Sequence, residues 1–123
     1  MKWFLSSKIH KAIVTEANLD YTGSITIDRK LMKFVGLEVG EKVLVSDITN
    51  GARLETYVIS GKKGEICMNG AAAHLIKKGD QIIIMGFKLS RKPVKSKIIL
   101  VNDDNELVRS LWSSYYLFLG NNE

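Results

Sequence analysis

The stretch Ser24-Ile25-Thr26-Ile27-Asp28-Arg29-Lys30-Leu31-Met32-Lys33-Phe34-Val35-Gly36-Leu37-Glu38-Val39-Gly40-Glu41-Lys42-Val43-Leu44-Val45 carries four signals in order. Ile25–Ile27 reads as a strand, and Asp28 caps a short helix over Arg29–Val35. Gly36 ends that helix, and a Gly-led turn at Gly40 opens a second strand into Val45. The same grammar returns later in the chain. Ile66-Cys67-Met68 is a strand, Asn69 a cap, Gly70–Ile76 a short helix, and Lys77-Lys78-Gly79-Asp80 a turn into Gln81-Ile82-Ile83-Ile84. The two spacings, Asp28 to Gly40 and Asn69 to Gly79, differ by two residues. A pseudo-repeat of this kind predicts a small β-barrel built from two related halves.

Upstream, Tyr21-Thr22-Gly23-Ser24 is a turn opening into the first strand. Gly23 admits backbone angles closed to other residues, and the Ser24 hydroxyl lies within reach of the Gly23 carbonyl. In a strained turn that hydroxyl can attack the carbonyl and convert the amide to an ester. Elimination then cuts the chain and leaves residue 24 as dehydroalanine, which hydrolyses to a pyruvoyl group. Such a ketone forms a Schiff base with an amine and draws electrons from it. An isolated Gly-Ser pair is ordinarily a plain turn, so this reading needs support from the rest of the chain.

The 123 residues suffice for one domain with its own core. At 46% hydrophobic and 25% charged the composition is that of an ordinary globular protein. No apolar run approaches membrane-spanning length, and Trp3-Phe4-Leu5 is too short for a signal-peptide core. A cytoplasmic protein with no membrane partner is the expectation. A single cysteine excludes an intrachain disulfide, and Cys67 reads as a buried small hydrophobe. With His10 and His74 it makes no metal site of familiar spacing. The net charge of +5 suits an anionic partner, nucleic acid or small acid alike.

Residues 8–15 read as a strand with Lys8 and His10 on one face; His10 orients a site or packs. Glu16–Asp20 reads as a short turn or a single helical turn. Ile48-Thr49-Asn50-Gly51-Ala52-Arg53 carries an Asn-Gly hairpin turn with Leu54–Ile59 as the return strand. Lys88, Arg91, Lys92, Lys95 and Lys97 around Pro93 form a solvated basic loop. Lys97–Val101 is a strand and Asn102–Asn105 a turn. From Glu106 to Leu119, Leu107, Leu111, Tyr115 and Phe118 fall at helical spacing, the stripe of a core or subunit contact.

Two functional classes fit the first half. Its strand, short helix and Gly-led strand are similar to the swapped-hairpin DNA-binding modules of the AbrB type, with basic residues for phosphates. That reading leaves the second pseudo-repeat and Asn69-Gly70-Ala71-Ala72-Ala73 unused. Lys8-Ile9-His10, Asn18-Leu19-Asp20-Tyr21-Thr22-Gly23-Ser24-Ile25, Thr49-Asn50-Gly51-Ala52-Arg53-Leu54-Glu55-Thr56-Tyr57 and Asn69-Gly70-Ala71-Ala72-Ala73-His74 occur in one order. In this the chain closely resembles the pyruvoyl-dependent aspartate 1-decarboxylases, over about residues 1–105. The resemblance implies a mainly β fold, a six-stranded double-psi β-barrel with short helices, assembled as a homotetramer with active sites between subunits. It implies one catalytic domain, 1–123, cut between Gly23 and Ser24 into chains 1–23 and 24–123. Ser24 becomes the pyruvoyl cofactor, with no pyridoxal phosphate and no metal, and an activator protein is a further partner the family pattern allows. L-Aspartate loses CO2 to give β-alanine, the precursor of pantothenate and coenzyme A in this family; nucleic acid is then not a partner.

By the same resemblance Thr56 contacts the Gly23 carbonyl during processing and later the substrate, and Tyr57 donates the proton. Gly70, Ala71 and Ala72 bind substrate and Asn69 lines the site. Arg53 and Lys8 hold the substrate carboxylate, as a guanidinium pairs with carboxylate through two parallel hydrogen bonds. Away from the motif, Arg53 beside a hairpin turn would read as a solvated charge, and Tyr57 as core with its hydroxyl at the rim. Ser46 and Asp47 stand where some members carry a tryptophan, which leaves the lining of the carboxylate pocket open. The tail 106–123 follows no family pattern and takes no catalytic role.

Overall fold

The structure is a computed structural model that describes residues 1–111. Strands β1 (Lys2–Ile13), β2 (Glu16–Asn18), β3 (Ser24–Asp28), β4 (Lys42–Asp47), β5 (Arg53–Gly61), β6 (Ile66–Asn69), β7 (Gln81–Ser90), β8 (Lys97–Val101) and β9 (Leu107–Leu111) accompany one helix, α1 (Arg29–Val35), and a 3-10 turn at Gly70–His74. The chain is mainly β. Its strands hydrogen-bond in the open order β2-β6-β3-β5-β4-β7-β1-β8-β9. Parallel pairs β1–β8, β2–β6 and β3–β5 are interleaved with antiparallel ones.

The local signals around the opening stretch form as read. Asp28 caps α1: its Oδ1 accepts from Lys30 N at 2.8 Å, while its Oδ2 accepts from Gly64 N at 2.7 Å. One carboxylate thus ties the helix start to the β5–β6 turn. Gly36 takes the left-handed conformation, φ 74°, and closes the helix. Leu31, Met32 and Val35 are buried against Ile9, Ile25, Ile27, Val43, Val58, Ile66, Met68, Ile82, Ile84 and Ile99. Each such side chain contributes about 1.5–3 kcal/mol relative to leaving it in water.

Four expectations need correction. Glu16–Asn18 is a strand, not a turn, because β6 offers it an open edge: Thr15 Oγ1 bonds both the carbonyl and the N–H of Ile66, and the chain then pairs along Cys67–Asn69. The second short helix shrinks to the 3-10 turn. The basic segment begins on a strand, since β7 runs to Ser90 and Lys88 pairs opposite Phe4. Leu107–Leu111 is a strand despite its helical spacing. Asn105, buried and left-handed at φ 58°, holds Ile13 N and O and Gly64 O with its amide, and this turns the chain back along β8. Pairing overrides a local period here. Trp112, Tyr115, Phe118 and Leu119 lie outside the described residues.

Candidate active site

Register across β2, β6, β3 and β5 builds a polar patch. Asn18, Asn69 and Ser24 align in one row. One step back from the Ile25–Val58 pair, Tyr57 stands at the end of that row. Glu16, Cys67, Thr26 and Ile59 form the row two residues on. The row between them, Met68, Ile25 and Val58, points into the core with no exposed surface. Alternation therefore puts Ser24, Thr26, Cys67 and Asn69 on one face of the antiparallel β3–β6 pair. All four are buried.

Their hydrogen bonds are specific. Asn69 Nδ2 donates to Ser24 Oγ at 2.8 Å and to Thr26 Oγ1 at 3.0 Å. Cys67 Sγ donates to Asn69 Oδ1 at 3.2 Å. Asn69 was expected to cap the following helical turn, and it makes no side-chain cap bond. Its amide is drawn instead to two buried hydroxyls, which would otherwise lose a partner at a cost of about 1–3 kcal/mol. The Ser24 oxygen, accepting from Asn69, keeps its own hydrogen and a second lone pair.

The glycine geometry is also redistributed. Gly23 is exposed, is not left-handed, and has open space where a Cβ would stand. The restriction falls on Gly70, φ 69°, where a Cβ would lie 2.8 Å from Gly23 Cα and N and 2.9 Å from Tyr21 O. Gly70 thus lies against the Tyr21–Gly23 turn that leads into Ser24, and only glycine permits that approach. Ala71 is exposed and Ala72 half-buried beside it.

Along β5 exposure alternates. Arg53, Glu55 and Tyr57 face outward, while Thr56 and the buried Val58 face the other way. Arg53 sits opposite Ser46 at the hairpin's open end. Lys8 pairs with Met85 and Ile98, and in sheet order β5, β4 and β7 stand between β3 and β1. One chain therefore brings Ser24, Asn69, Gly70 and Tyr57 together but leaves Lys8 and Thr56 on other surfaces. His10 shares Lys8's face. Burial, then the charges of Lys8 and Lys11, hold its imidazole below the usual range, and its buried Nδ1 meets no partner among the described residues. Five clefts, such as the 650 Å³ one between Arg29, Lys33 and Lys62, take no described wall residue from this patch.

The hairpin that carries Arg53 is anchored by Asp47. Its Oδ1 accepts from Thr49 N and Asn50 N, at 2.8 and 3.3 Å. Its Oδ2 is buried and meets no donor. The neighbouring group is the Asp80 carboxyl, and a proton on either carboxyl can serve that oxygen. Burial first, then that bond to Asp80, pushes the Asp47 carboxyl up to about 6. A folded-state value above the unfolded one means stability from this group is greatest below the ordinary carboxylate range and is lost as pH rises through about 6. Asp47→Asn keeps the Oδ1 bonds and supplies the missing donor. We expect it to raise Tm at pH 8, by roughly 4 °C per kcal/mol regained, and to do so little at pH 4. Thermal unfolding at both values checks this; an equal gain at both would remove the shared proton.

Sequence reasoning missed Thr26 and Cys67. The signal was present as two alternating strands, Ser-Ile-Thr-Ile and Ile-Cys-Met-Asn, whose small polar positions coincide once the strands pair antiparallel.

A family model described as aspartate decarboxylase matches residues 1–108. An aspartate 1-decarboxylase of Caldicellulosiruptor bescii is 55% identical over 111 residues, covering 85% of this chain and 87% of its own. One from a Thermotoga species is 55% identical over 108 residues, covering 86% and 95%. One from Bacillus subtilis is 47% identical over 116 residues, covering 87% and 89%.

Proposed function

The chain belongs to the aspartate decarboxylase family, and from that premise we propose that it cuts itself between Gly23 and Ser24 and then converts L-aspartate to β-alanine and CO2. The observation that carries this is the Asn69 amide on Ser24 Oγ, beside the close approach of Gly70 to Gly23. The amide orients the hydroxyl, and Gly70 lets the backbone at Gly23 settle close to it. Attack forms the Oγ–carbonyl bond and breaks the amide, the hydroxyl proton passing to the Ser24 nitrogen. Loss of the Ser24 α-proton then breaks the Cβ–Oγ bond and releases Gly23 as a carboxylate. Water finally replaces nitrogen at residue 24 and ammonia leaves.

The pocket of Asn69 and Thr26 suits a pyruvoyl group, whose ketone would bind the substrate amine and take up electrons as CO2 leaves. Asn69 keeps a donor there, and Arg53 binds a substrate carboxylate as a bidentate partner. Thr56 and Lys8 join from a neighbouring subunit of a homotetramer, the arrangement that accommodates their positions in one chain. Gly70, Ala71 and Ala72 bound the substrate on the remaining side. The parallel β3–β5 and β2–β6 pairs and the twofold grammar support a double-psi barrel as the frame. No described helix is long and apolar enough to cross a membrane, in keeping with a cytoplasmic enzyme. Family membership sets aside the DNA-binding reading.

The test is intact mass followed by turnover. Purified protein should show chains 1–23 and 24–123, and release β-alanine from L-aspartate with no added cofactor. Borohydride with aspartate should trap an adduct on the larger chain. A cut protein that ignores aspartate overturns the function, and a cut at another bond overturns the site.

A further inference from the structure

Asn69 can orient the Ser24 hydroxyl only while its amide is the right way round. An asparagine side chain presents an oxygen and a nitrogen of nearly equal size, and rotation by half a turn exchanges donors for an acceptor. Flipped, the oxygen would face Ser24 Oγ and Thr26 Oγ1. Those hydroxyls could still bond it by donating, so they do not by themselves choose the orientation.

Cys67, the third side chain in contact with the amide, tips this balance. A thiol is a weak donor and a weak acceptor; here its S–H donates to Asn69 Oδ1 at 3.2 Å, against 3.9 Å to Met68 O. It occupies the same face of β6 as Asn69, two residues back, opposite Thr26. Resting on the functional reading above, we propose that Cys67 is a positioning residue: its S–H, directed at Asn69 Oδ1, fixes the amide so that both N–H bonds face Ser24 and Thr26. A flipped amide would make Ser24 donate its hydrogen to Asn69, aligning the hydroxyl away from the Gly23 carbonyl.

The thiol stays a donor. Burial, then the charges of Glu65 and Glu16, push it above the ordinary cysteine value, so thiolate chemistry plays no part at neutral pH. Glu16 sits beside Cys67 on β2 and so reinforces the protonated state.

Two variants separate donation from packing. Cys67→Ser keeps an O–H donor in less volume; Cys67→Ala keeps neither donor nor acceptor. The rate of the Gly23–Ser24 cut, followed by intact mass, should fall about tenfold in Cys67→Ala, the scale of one hydrogen bond. It should be largely retained in Cys67→Ser, although both variants lose comparable thermal stability. Equal slowing in the two, or wild-type cutting by Cys67→Ala, overturns the proposal.

A second readout does not depend on the cut. In a Ser24→Ala background, the Asn69 side-chain N–H pair should keep its NMR shifts and slow exchange with Cys67→Ser. Both should change with Cys67→Ala. No change with Cys67→Ala overturns the orienting role even if the wild-type chain never cuts. A response in the uncut background upholds the orienting role whether or not the wild-type chain cuts.

Discussion

Ser24→Ala leaves one uncut chain of 123 residues with no β-alanine formation, the largest effect expected of any single change in this protein. The cut needs an oxygen at residue 24 to replace the amide nitrogen on the Gly23 carbonyl, and alanine has none. The fold should survive. Ser24 contributes one bond, from Asn69 Nδ2 at 2.8 Å, and Asn69 keeps its second acceptor in Thr26 Oγ1. The methyl group left behind sits in a site that is already buried. Intact mass reads the first consequence, and unchanged circular dichroism the second. Appearance of chains 1–23 and 24–123 from this variant would assign the break to another nucleophile or to a contaminating protease. Gly70 then remains as the only geometric reason for the position of the cut.

What could be read in the sequence divides along a physical line. Asp28, Gly36 and the 29–35 segment were legible because a cap, an αL stop and a helical turn are local events, each decided within four residues. The strand at Glu16–Asn18 was not, because three residues acquire strand geometry only from the edge of β6. Leu107–Leu111 failed for the same reason, with Asn105 supplying the turn from a contact to Ile13 far away in sequence. At the site, Ser24, Asn69 and Tyr57 were reached through family motifs. Their neighbourhood in one row required the β3–β5 and β3–β6 registers, which no local pattern states. Gly23 drew attention as the strained glycine, yet the left-handed geometry lies at Gly70, whose partner across the turn cannot be seen from its own neighbours.

Tyr57 separates the two chemistries, and its position sharpens how. The proposed self-processing works through Ser24, Gly23, Asn69 and Gly70, and none of their described hydrogen bonds involves the Tyr57 hydroxyl. Turnover needs something more: a proton delivered to carbon after CO2 has gone. Tyr57 is level with Ser24 across the parallel β3–β5 pair and is 41% exposed, so a substrate held at residue 24 can meet its hydroxyl. Thr56, one residue earlier, points to the opposite side of β5 and cannot substitute within the same chain. Tyr57→Phe keeps the ring and its packing beside Lys42, the cross-strand neighbour that is tied at 2.9 Å to Glu55. Only the hydroxyl is lost. We therefore expect the variant to cut at Gly23–Ser24 as wild type does, but to form β-alanine slower by a factor of about 10²–10⁴, the range for a general acid. The measurement is paired, cut fraction by mass and turnover on cut protein alone. Near-normal turnover would pass the proton to water or to Lys8. A failure to cut would mean that the hydroxyl shapes the turn at Gly23, and the separation of roles along this row would be wrong.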